Sequence, residues 1–163
     1  MLSSLRPIWP LLSLLVSGAL LAGAHAFQYF GGLQPCPLCL DQRNWHWGIV
    51  GLSIVALVAL RLRPGLARWA AVAIGVLFVA SFVQGAHHVA VEHGLLIAEC
   101  DARVNFNNLD FNTIDPNARV EAPKCDQVQW SLLGVSMAGY NALISLVMAL
   151  LSFVVAFAPA RKS

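Results

Sequence analysis

The sequence predicts an all-α membrane protein: a four-transmembrane-helix antiparallel bundle with two extracytoplasmic loops. Composition, segment length and charge distribution each support this class. Of the 163 residues, 58% are hydrophobic and 11% are charged, whereas soluble domains average about 45–50% and about 25%. So few charges exclude a water-soluble globule and a disordered chain. The net charge of +2, with no basic stripe, gives no reason to expect nucleic acid as a partner.

Four apolar segments are each about as long as the roughly 20 residues that an α-helix needs to cross a bilayer. The alternation typical of β-barrel strands is absent from them. We therefore predict one integral membrane domain over 1–163, with spans at about 10–30, 44–60, 67–91 and 130–158 and outer loops at about 31–43 and 92–129.

The first segment has an alternative interpretation. Residues 1–26 resemble a secretory signal peptide, with Arg6, an apolar run and the A-x-A sequence Ala24-His25-Ala26. However, the apolar run from Leu11 to Phe30 is longer than the 7–15 residues of a signal core. We therefore expect this segment to remain as a span.

Charge divides between the two ends of the predicted bundle. All eight acidic residues of the chain lie at the end that contains the two outer loops, of which the first is short and the second is long. The opposite end has basic residues and no acidic ones: Arg6, Arg61, Arg63, Arg68, Arg161 and Lys162. Because basic loops remain in the cytoplasm, we expect both termini to be cytoplasmic and both outer loops to face away from it.

The four cysteines all fall in the outer loops. Cys36 and Cys39 form a C-x-x-C motif just before the second span, and Cys100 and Cys125 lie in the second loop. Disulfides persist in an oxidising compartment, and four cysteines allow three connectivities. A Cys100–Cys125 bond would close a long loop and stabilise it by roughly 3.5 kcal/mol. Alternatively, this pair exchanges with an outside thiol.

Three interpretations compete for the C-x-x-C motif: a catalytic dithiol, a structural disulfide or a zinc site. The N-terminus of a helix favours a thiolate, and Arg43, one turn after Cys39, would stabilise that thiolate or hold a ligand oxygen. A bond across so short a loop removes little chain entropy, which disfavours a purely structural role. Zinc sites usually contain two short-spaced pairs, which the chain lacks. Redox chemistry is favoured, and no metal site is predicted.

Histidines within the predicted spans are a further set of candidates, because polar groups at membrane depth are costly and often functional. His87 and His88 lie near the outer end of the third span and have either a site role or interfacial solvation. His46, between two tryptophans, is interpreted as interfacial. A haem held by paired histidines would leave the C-x-x-C unused.

Residues 35–43, Pro-Cys-Pro-Leu-Cys-Leu-Asp-Gln-Arg, resemble the C-x-L-C-x-x-[EQ]-R signature of the bacterial inner-membrane disulfide-bond formation protein B (DsbB) family. The four spans, the separated cysteine pair, Glu92-His93 and Trp130–Met137 extend this resemblance over nearly the whole chain. The chain departs from the family pattern at Leu40-Asp41-Gln42, where some members have a tyrosine.

The resemblance implies a quinone-dependent protein-disulfide oxidoreductase of the bacterial inner membrane. Its partner would be a DsbA-type periplasmic protein with a thioredoxin fold, and its cofactor ubiquinone, or menaquinone under anaerobic conditions. It also implies four catalytic cysteines, paired as Cys36–Cys39 and Cys100–Cys125, and quinone-binding roles for Arg43, His93 and Met137. Two alternatives remain open: a membrane scaffold with structural disulfides, and an enzyme similar to vitamin K epoxide reductase.

Overall fold

The computed structural model describes residues 2–97 and 124–159. Four helices dominate it and are long and apolar enough to cross a membrane, which confirms the predicted all-α class. Short 3-10 helices lie at Leu2–Leu5 and Pro64–Leu66. The four α-helices are α1 (Trp9–Tyr29), α2 (Pro37–Leu62), α3 (Ala67–Glu92) and α4 (Met137–Phe157).

The outward faces of the helices are apolar. Val55 on α2 is 64% exposed, and Leu15 on α1 and Leu150 on α4 are exposed to a similar degree. Contiguous apolar surface of this kind is rare on soluble monomers and suits a lipid environment. Polar side chains turn inward instead: six serines in the helices are fully buried, namely Ser13, Ser17, Ser53, Ser81, Ser145 and Ser152.

The helices α3 and α4 form the most extensive contact in the bundle, whereas α1 and α4 touch only sparsely. Glycine permits the close approach: a Cβ atom built on Gly85 would lie 3.1 Å from the Cα, Cβ and N atoms of Ala142. Association of helices within lipid depends on such packing of small residues. This contact fixes the outer half of α3 against the start of α4.

The second helix begins at Pro37 rather than at residue 44, where the sequence placed the start of the span. Its N-cap is Cys36, and Pro37 supplies a helical φ at a position where no N–H is needed. The polar residues that follow lower the hydropathy but do not interrupt the helix. As a result, the C-x-x-C motif belongs to the helix end and not to a loop.

The fourth helix begins at Met137 rather than at residue 130. Residues before it form a two-stranded antiparallel hairpin, β1 (Ser131–Leu132) and β2 (Val135–Ser136). Leu133 and Gly134 make the turn with φ values of 52° and 78°, the sign that a two-residue hairpin turn requires. Ser136 then caps α4 by accepting a hydrogen bond from the N–H of Gly139 at 3.1 Å.

The chain ends of the bundle meet at one end of the molecule. Arg6 donates from Nε to the carbonyl of Val155 at 3.0 Å, and from Nη2 to the carbonyl of Ala158. Nearby, Trp9 Nε1 donates to Ser152 Oγ at 2.9 Å. These bonds link the start of α1 to the end of α4, so the thiol motif at the start of α2 lies at the opposite end.

Candidate redox site

Cys36 and Cys39 lie together at the N-terminus of α2. The Sγ atom of Cys36 accepts a hydrogen bond from the backbone N–H of Cys39 at 3.2 Å. Unpaired backbone N–H groups and the helix dipole stabilise negative charge at such a position. The local sequence therefore places the thiol pair at a helix end that stabilises one negative charge.

Both cysteines are free thiols in this structure. The Cys36–Cys39 disulfide that the resemblance implies is not formed in this structure, which describes the dithiol. Cys36 is only 2% exposed. Its hydrogen bond with Cys39, and then burial, raise the pKa of the Cys36 thiol. Cys36 therefore retains its proton, and Cys39 is the better placed of the two to carry negative charge.

Arg43 lies on α2 one turn after Cys39, as predicted, and its positive charge interacts with that sulfur. Its Nη1 donates to Gln28 Oε1 at 2.5 Å, and its Nη2 donates to the carbonyl of Ala24 at 3.0 Å. Both acceptors belong to α1. The guanidinium is thus half-buried and held between the first two helices, where it favours a Cys39 thiolate.

Cys125 meets the C-x-x-C motif directly. It is as buried as Cys36, and the two residues form one apolar cluster with Val91, against which Leu38 and Cys39 pack. Cys125 is disulfide-bonded. Cys100, its predicted partner, lies outside the described residues. The segment after the second loop thus brings a cysteine of the second pair against the first pair.

A cavity of about 430 Å³ lies beside the thiol pair. Both cysteines of the motif and Arg43 line it, together with side chains from α1 and α4. Most of the wall is apolar, and its larger apolar members are Leu20, Leu21, Phe27, Trp130, Leu132 and Ile144. Ligand pockets of 300–1,000 Å³ typically combine an apolar wall with a few polar groups, and this cavity has that character.

A chain of buried hydrogen bonds crosses one wall of the cavity. His88 Nε2 lies 3.7 Å from Cys36 Sγ, and His88 Nδ1 lies 2.6 Å from Gln42 Nε2. Asn141 connects Gln42 Oε1, at 2.8 Å, to His46 Nε2, at 2.6 Å. The chain ends at Ser17 Oγ, 3.2 Å from His46 Nδ1. Helices α1 to α4 each contribute to it.

The model of the family Disulfide bond formation protein DsbB matches residues 6–155 of the chain. The chain belongs to the DsbB family. Membership supports a role in disulfide bond formation, with disulfide oxidoreductase activity, and the four candidate spans agree with a multi-pass membrane protein. No solved structure matches the chain significantly.

Curated relatives of this DsbB family member are each called Disulfide bond formation protein B. The protein of Methylococcus capsulatus is 31% identical over 136 residues, which cover 78% of this chain and 79% of the relative. That of Actinobacillus pleuropneumoniae is 30% identical over 170 residues, covering 99% and 91%. That of Haemophilus influenzae strain 86-028NP is 31% identical over 147 residues, covering 87% and 80%.

The three residues that the resemblance assigns to quinone binding in this DsbB family member, Arg43, His93 and Met137, differ in whether they line the cavity. Met137, the first residue of α4, lines the cavity together with Arg43. His93 follows the end of α3, is exposed, and is not among the residues that line the cavity. Glu92, its neighbour, lines the cavity instead and accepts a hydrogen bond from Ser136 Oγ at 2.5 Å.

Sequence reasoning missed part of the site. Asn141 was not singled out, Gln42 and Glu92 were named only as positions of the resemblance with no role assigned, and His87 and His88 were given equal weight. The structure separates the two histidines, because His88 is 4% exposed whereas His87 is exposed. A helical wheel offers a signal that could have found this face, since His88 lies one turn before Glu92 on α3.

One cluster within the described part of the chain could hold a metal ion. The Sγ atoms of Cys36 and Cys39 and a ring nitrogen of His88 lie within 4.8 Å of one another. Structural zinc sites use four protein ligands, whereas this cluster supplies three. Because both sulfurs must be reduced to bind an ion, metal binding and disulfide formation at this pair exclude each other.

Proposed function

We propose that the protein re-oxidises a DsbA-type dithiol protein and passes the two electrons to a membrane quinone. The observation that carries the proposal is the position of Cys39, which lines an apolar cavity beside Arg43 while its partner Cys36 packs against Cys125. This arrangement would connect a thiol pair reached from water with an acceptor that enters from the bilayer.

The proposed route begins at the second loop. A thiolate of the outside protein attacks Cys100, breaks the Cys100–Cys125 bond and leaves the electron pair on Cys125. Cys125 then attacks Cys36, the Cys36–Cys125 bond forms, and the Cys36–Cys39 bond breaks with the electron pair on Cys39. The contact between Cys125 and Cys36 supports the second exchange, since attack requires that the two sulfurs meet.

The residues around the cavity fit a quinone. A bound quinone supplies an acceptor for two electrons and two protons. Cys39 would face its ring with a thiolate that Arg43 and the helix N-terminus stabilise. Arg43 would also donate to a carbonyl oxygen, and Met137 would pack on the ring. The apolar residues of α1 and α4 would exclude water from it.

A quinone also satisfies the energetics of the proposed reaction. DsbA is a strong oxidant, with a reduction potential of about −120 mV. Its re-oxidation requires an acceptor of still higher potential, and for this two-electron couple 30 mV corresponds to about 1.4 kcal/mol. An unstrained protein disulfide does not reach that value, so draining the electrons into a quinone makes the reaction favourable.

The proposed location is the bacterial inner membrane, with both termini in the cytoplasm. The hydrogen bonds of Arg6 to the end of α4 bring the residues before α1 and those at the end of α4 to the same side of the bundle. The basic residues near both ends favour the cytoplasm for that side. The thiol pair, at the opposite end, would then face a periplasmic partner.

The test is quinone reduction by the purified protein in detergent, with a reduced DsbA-type protein as electron donor. Ubiquinone and menaquinone analogues are compared as acceptors. We expect turnover with the native protein and none with Cys39→Ser. Asp41→Asn is the matched control, because Asp41 lies in the same turn of α2 but does not line the cavity.

Two results would contradict the proposal. If native protein with an intact fold reduced no quinone with any thioredoxin-fold donor, the scaffold alternative would be favoured. If Cys39→Ser retained turnover, Cys39 would not be the thiol that faces the acceptor. Activity of Asp41→Asn at the native level is required for either comparison to be interpreted.

A further inference from the structure

His88 contacts both cysteine pairs. Its Nε2 atom lies 3.7 Å from the Sγ atom of Cys36, and its ring also makes a hydrogen bond to the backbone of Cys125. The ring is buried at the outer end of α3. It therefore lies at the junction across which the two pairs would exchange a disulfide.

The hydrogen-bond chain through the bundle determines which ring nitrogen of His88 carries the proton. Asn141 Nδ2 donates to Gln42 Oε1, so the remaining amide group of Gln42, Nε2, donates to His88 Nδ1. A neutral imidazole that accepts at Nδ1 has its proton on Nε2. At the far end, His46 Nε2 donates to Asn141 Oδ1, which fixes the orientation of that amide.

The sulfur of Cys36 needs a donor whenever it carries negative charge. It is almost inaccessible to water. It accepts from the backbone N–H groups of Cys39 and Leu38, and the side chains in hydrogen-bond contact with it are those of Cys39 and His88. Leaving a buried charge without donors is expensive. The Nε2–H of His88, which also faces the backbone carbonyl of Cys125, is thus a neutral side-chain donor that can stabilise a Cys36 thiolate.

Other titratable groups surround this junction in the described part of the chain. From α2 come Cys39 and Arg43, from α3 come His87 and Glu92, and from α1 Tyr29 interacts with Arg43. The titratable side chains His46 of α2 and Tyr140 of α4 also line the cavity. Of all these groups, Cys39, Arg43, His87 and Glu92 interact electrostatically with Cys36, Cys39 or His88.

We propose that His88 donates a hydrogen bond that stabilises Cys36 as a thiolate during exchange between the two cysteine pairs. Gln42, Asn141 and His46 are positioning residues that keep the Nε2 proton directed at Cys36. The inference rests on the proposed function, because it deepens the exchange between Cys125 and Cys36 described there.

The step in which His88 acts is the breaking of the Cys36–Cys125 bond. The second thiolate of the outside protein first attacks the sulfur of its own mixed disulfide, completes that protein's disulfide and releases Cys100 as a thiolate. The Cys100 thiolate then attacks Cys125, the Cys100–Cys125 bond forms, and Cys36 leaves with the electron pair. The Nε2–H group donates to that leaving thiolate and keeps its proton. Electrons and protons therefore balance without an acid at this site.

The experiment measures how readily Cys36 ionises, with neither quinone nor outside donor present. In a Cys39→Ser background with the second pair oxidised, Cys36 is the reactive thiol, and the backbone N–H of residue 39 is retained. Its alkylation rate by iodoacetamide is followed across the thiol titration range by mass spectrometry. EDTA is present, because the cysteines and His88 can hold an ion.

Removal of the donor in His88→Leu should lower the thiolate fraction of Cys36 about 10- to 100-fold at a given pH, a shift of one to two pH units in the midpoint. His88→Gln retains an N–H donor and should restore most of the thiolate. His87→Leu, at the exposed neighbouring histidine, is the matched control and should leave the midpoint unchanged.

An unchanged midpoint in folded His88→Leu would overturn the proposal. If that variant does not fold, Gln42→Met decides: loss of the donor to Nδ1 lets the ring take the other tautomer, and an unchanged midpoint would likewise overturn it. The two proposals can fail separately. If His88→Leu shifts the midpoint of Cys36 ionisation but the native protein reduces no quinone, the role of His88 is supported and the proposed function is contradicted.

Discussion

Gly85→Ala should weaken the packing of α3 against α4 near the thiol end of the bundle and so lower the stability of the protein. The added Cβ would lie 3.1 Å from three atoms of Ala142, two of which belong to the backbone of α4. Ordinary contacts of a Cβ begin at 3.4 Å, so the helices must separate by about 0.3 Å or distort. Because backbone atoms cannot rotate away, we expect the overpacking to cost about 1–3 kcal/mol.

Helix propensity partly offsets this cost, since alanine is favoured over glycine by about 1 kcal/mol within a helix. Gly48→Ala measures that offset alone, because no atom lies within 4 Å of a Cβ built on Gly48. The difference between the two variants should then be about 1–3 kcal/mol, or about 5- to 150-fold in the unfolding equilibrium.

The assay is unfolding of the purified protein in mixed micelles of increasing SDS content, followed by helical circular dichroism. Gly48→Ala should unfold at or above the native midpoint, and Gly85→Ala below that of Gly48→Ala. If Gly85→Ala were as stable as Gly48→Ala, the close approach of α3 and α4 described here would be wrong.

Three further predictions concern the site. Ser136→Ala removes the N-cap of α4 and the hydrogen-bond partner of Glu92, so it should lower the free energy of unfolding by about 1 kcal/mol. Ser136→Thr should restore that free energy. Equal stability of the native protein and the alanine variant would contradict the capping role. A lysine at position 43 cannot donate to Gln28 and to the carbonyl of Ala24 at the same time, as the two guanidinium nitrogens do. We therefore expect Arg43→Lys to lower kcat/KM for quinone reduction about tenfold. An unchanged kcat/KM would show that these two contacts are not needed for the reaction. The pKa of Cys36 is raised, so the folded dithiol keeps a proton that the unfolded chain releases above its ordinary pKa of 9.0. The free energy of unfolding, measured by the same SDS titration, should therefore decline as pH rises past that value, by up to about 1.4 kcal/mol per pH unit. The same slope in Cys36→Ala would assign the decline to another group.

The helix content and the four spans followed from the sequence, because the length of an apolar segment is a local property. The orientation inferred from the basic residues stays a prediction. The helix starts did not follow from hydropathy. The polar turn that contains Asp41 lowers the hydropathy of α2 without ending it, and the hairpin at Leu133-Gly134 lacks the Asn-Gly signal of such turns. Both starts are set by caps, at Cys36 and Ser136.

The thiol pair and Arg43 were predictable because their spacing lies within one helix. The hydrogen bonds that join His46, Asn141 and Gln42 were not predictable, because Asn141 is far from the other two in sequence and meets them only when α2 and α4 pack. The quinone-binding role of His93 was taken from a resemblance and stays a prediction; the residue follows the end of α3 and is exposed, whereas its neighbour Glu92 lines the cavity. Adjacent residues on a helix face different directions.

The sparse contact between α1 and α4 has a consequence for biogenesis. The cavity takes its walls from all four helices, while the chain leaves the ribosome from α1 onward. During synthesis the thiol motif therefore emerges long before its cavity exists. Only insertion of α4, with Arg6 joining the two chain ends, completes the enclosure. A truncated or stalled chain would expose its cysteines without any place for an electron acceptor.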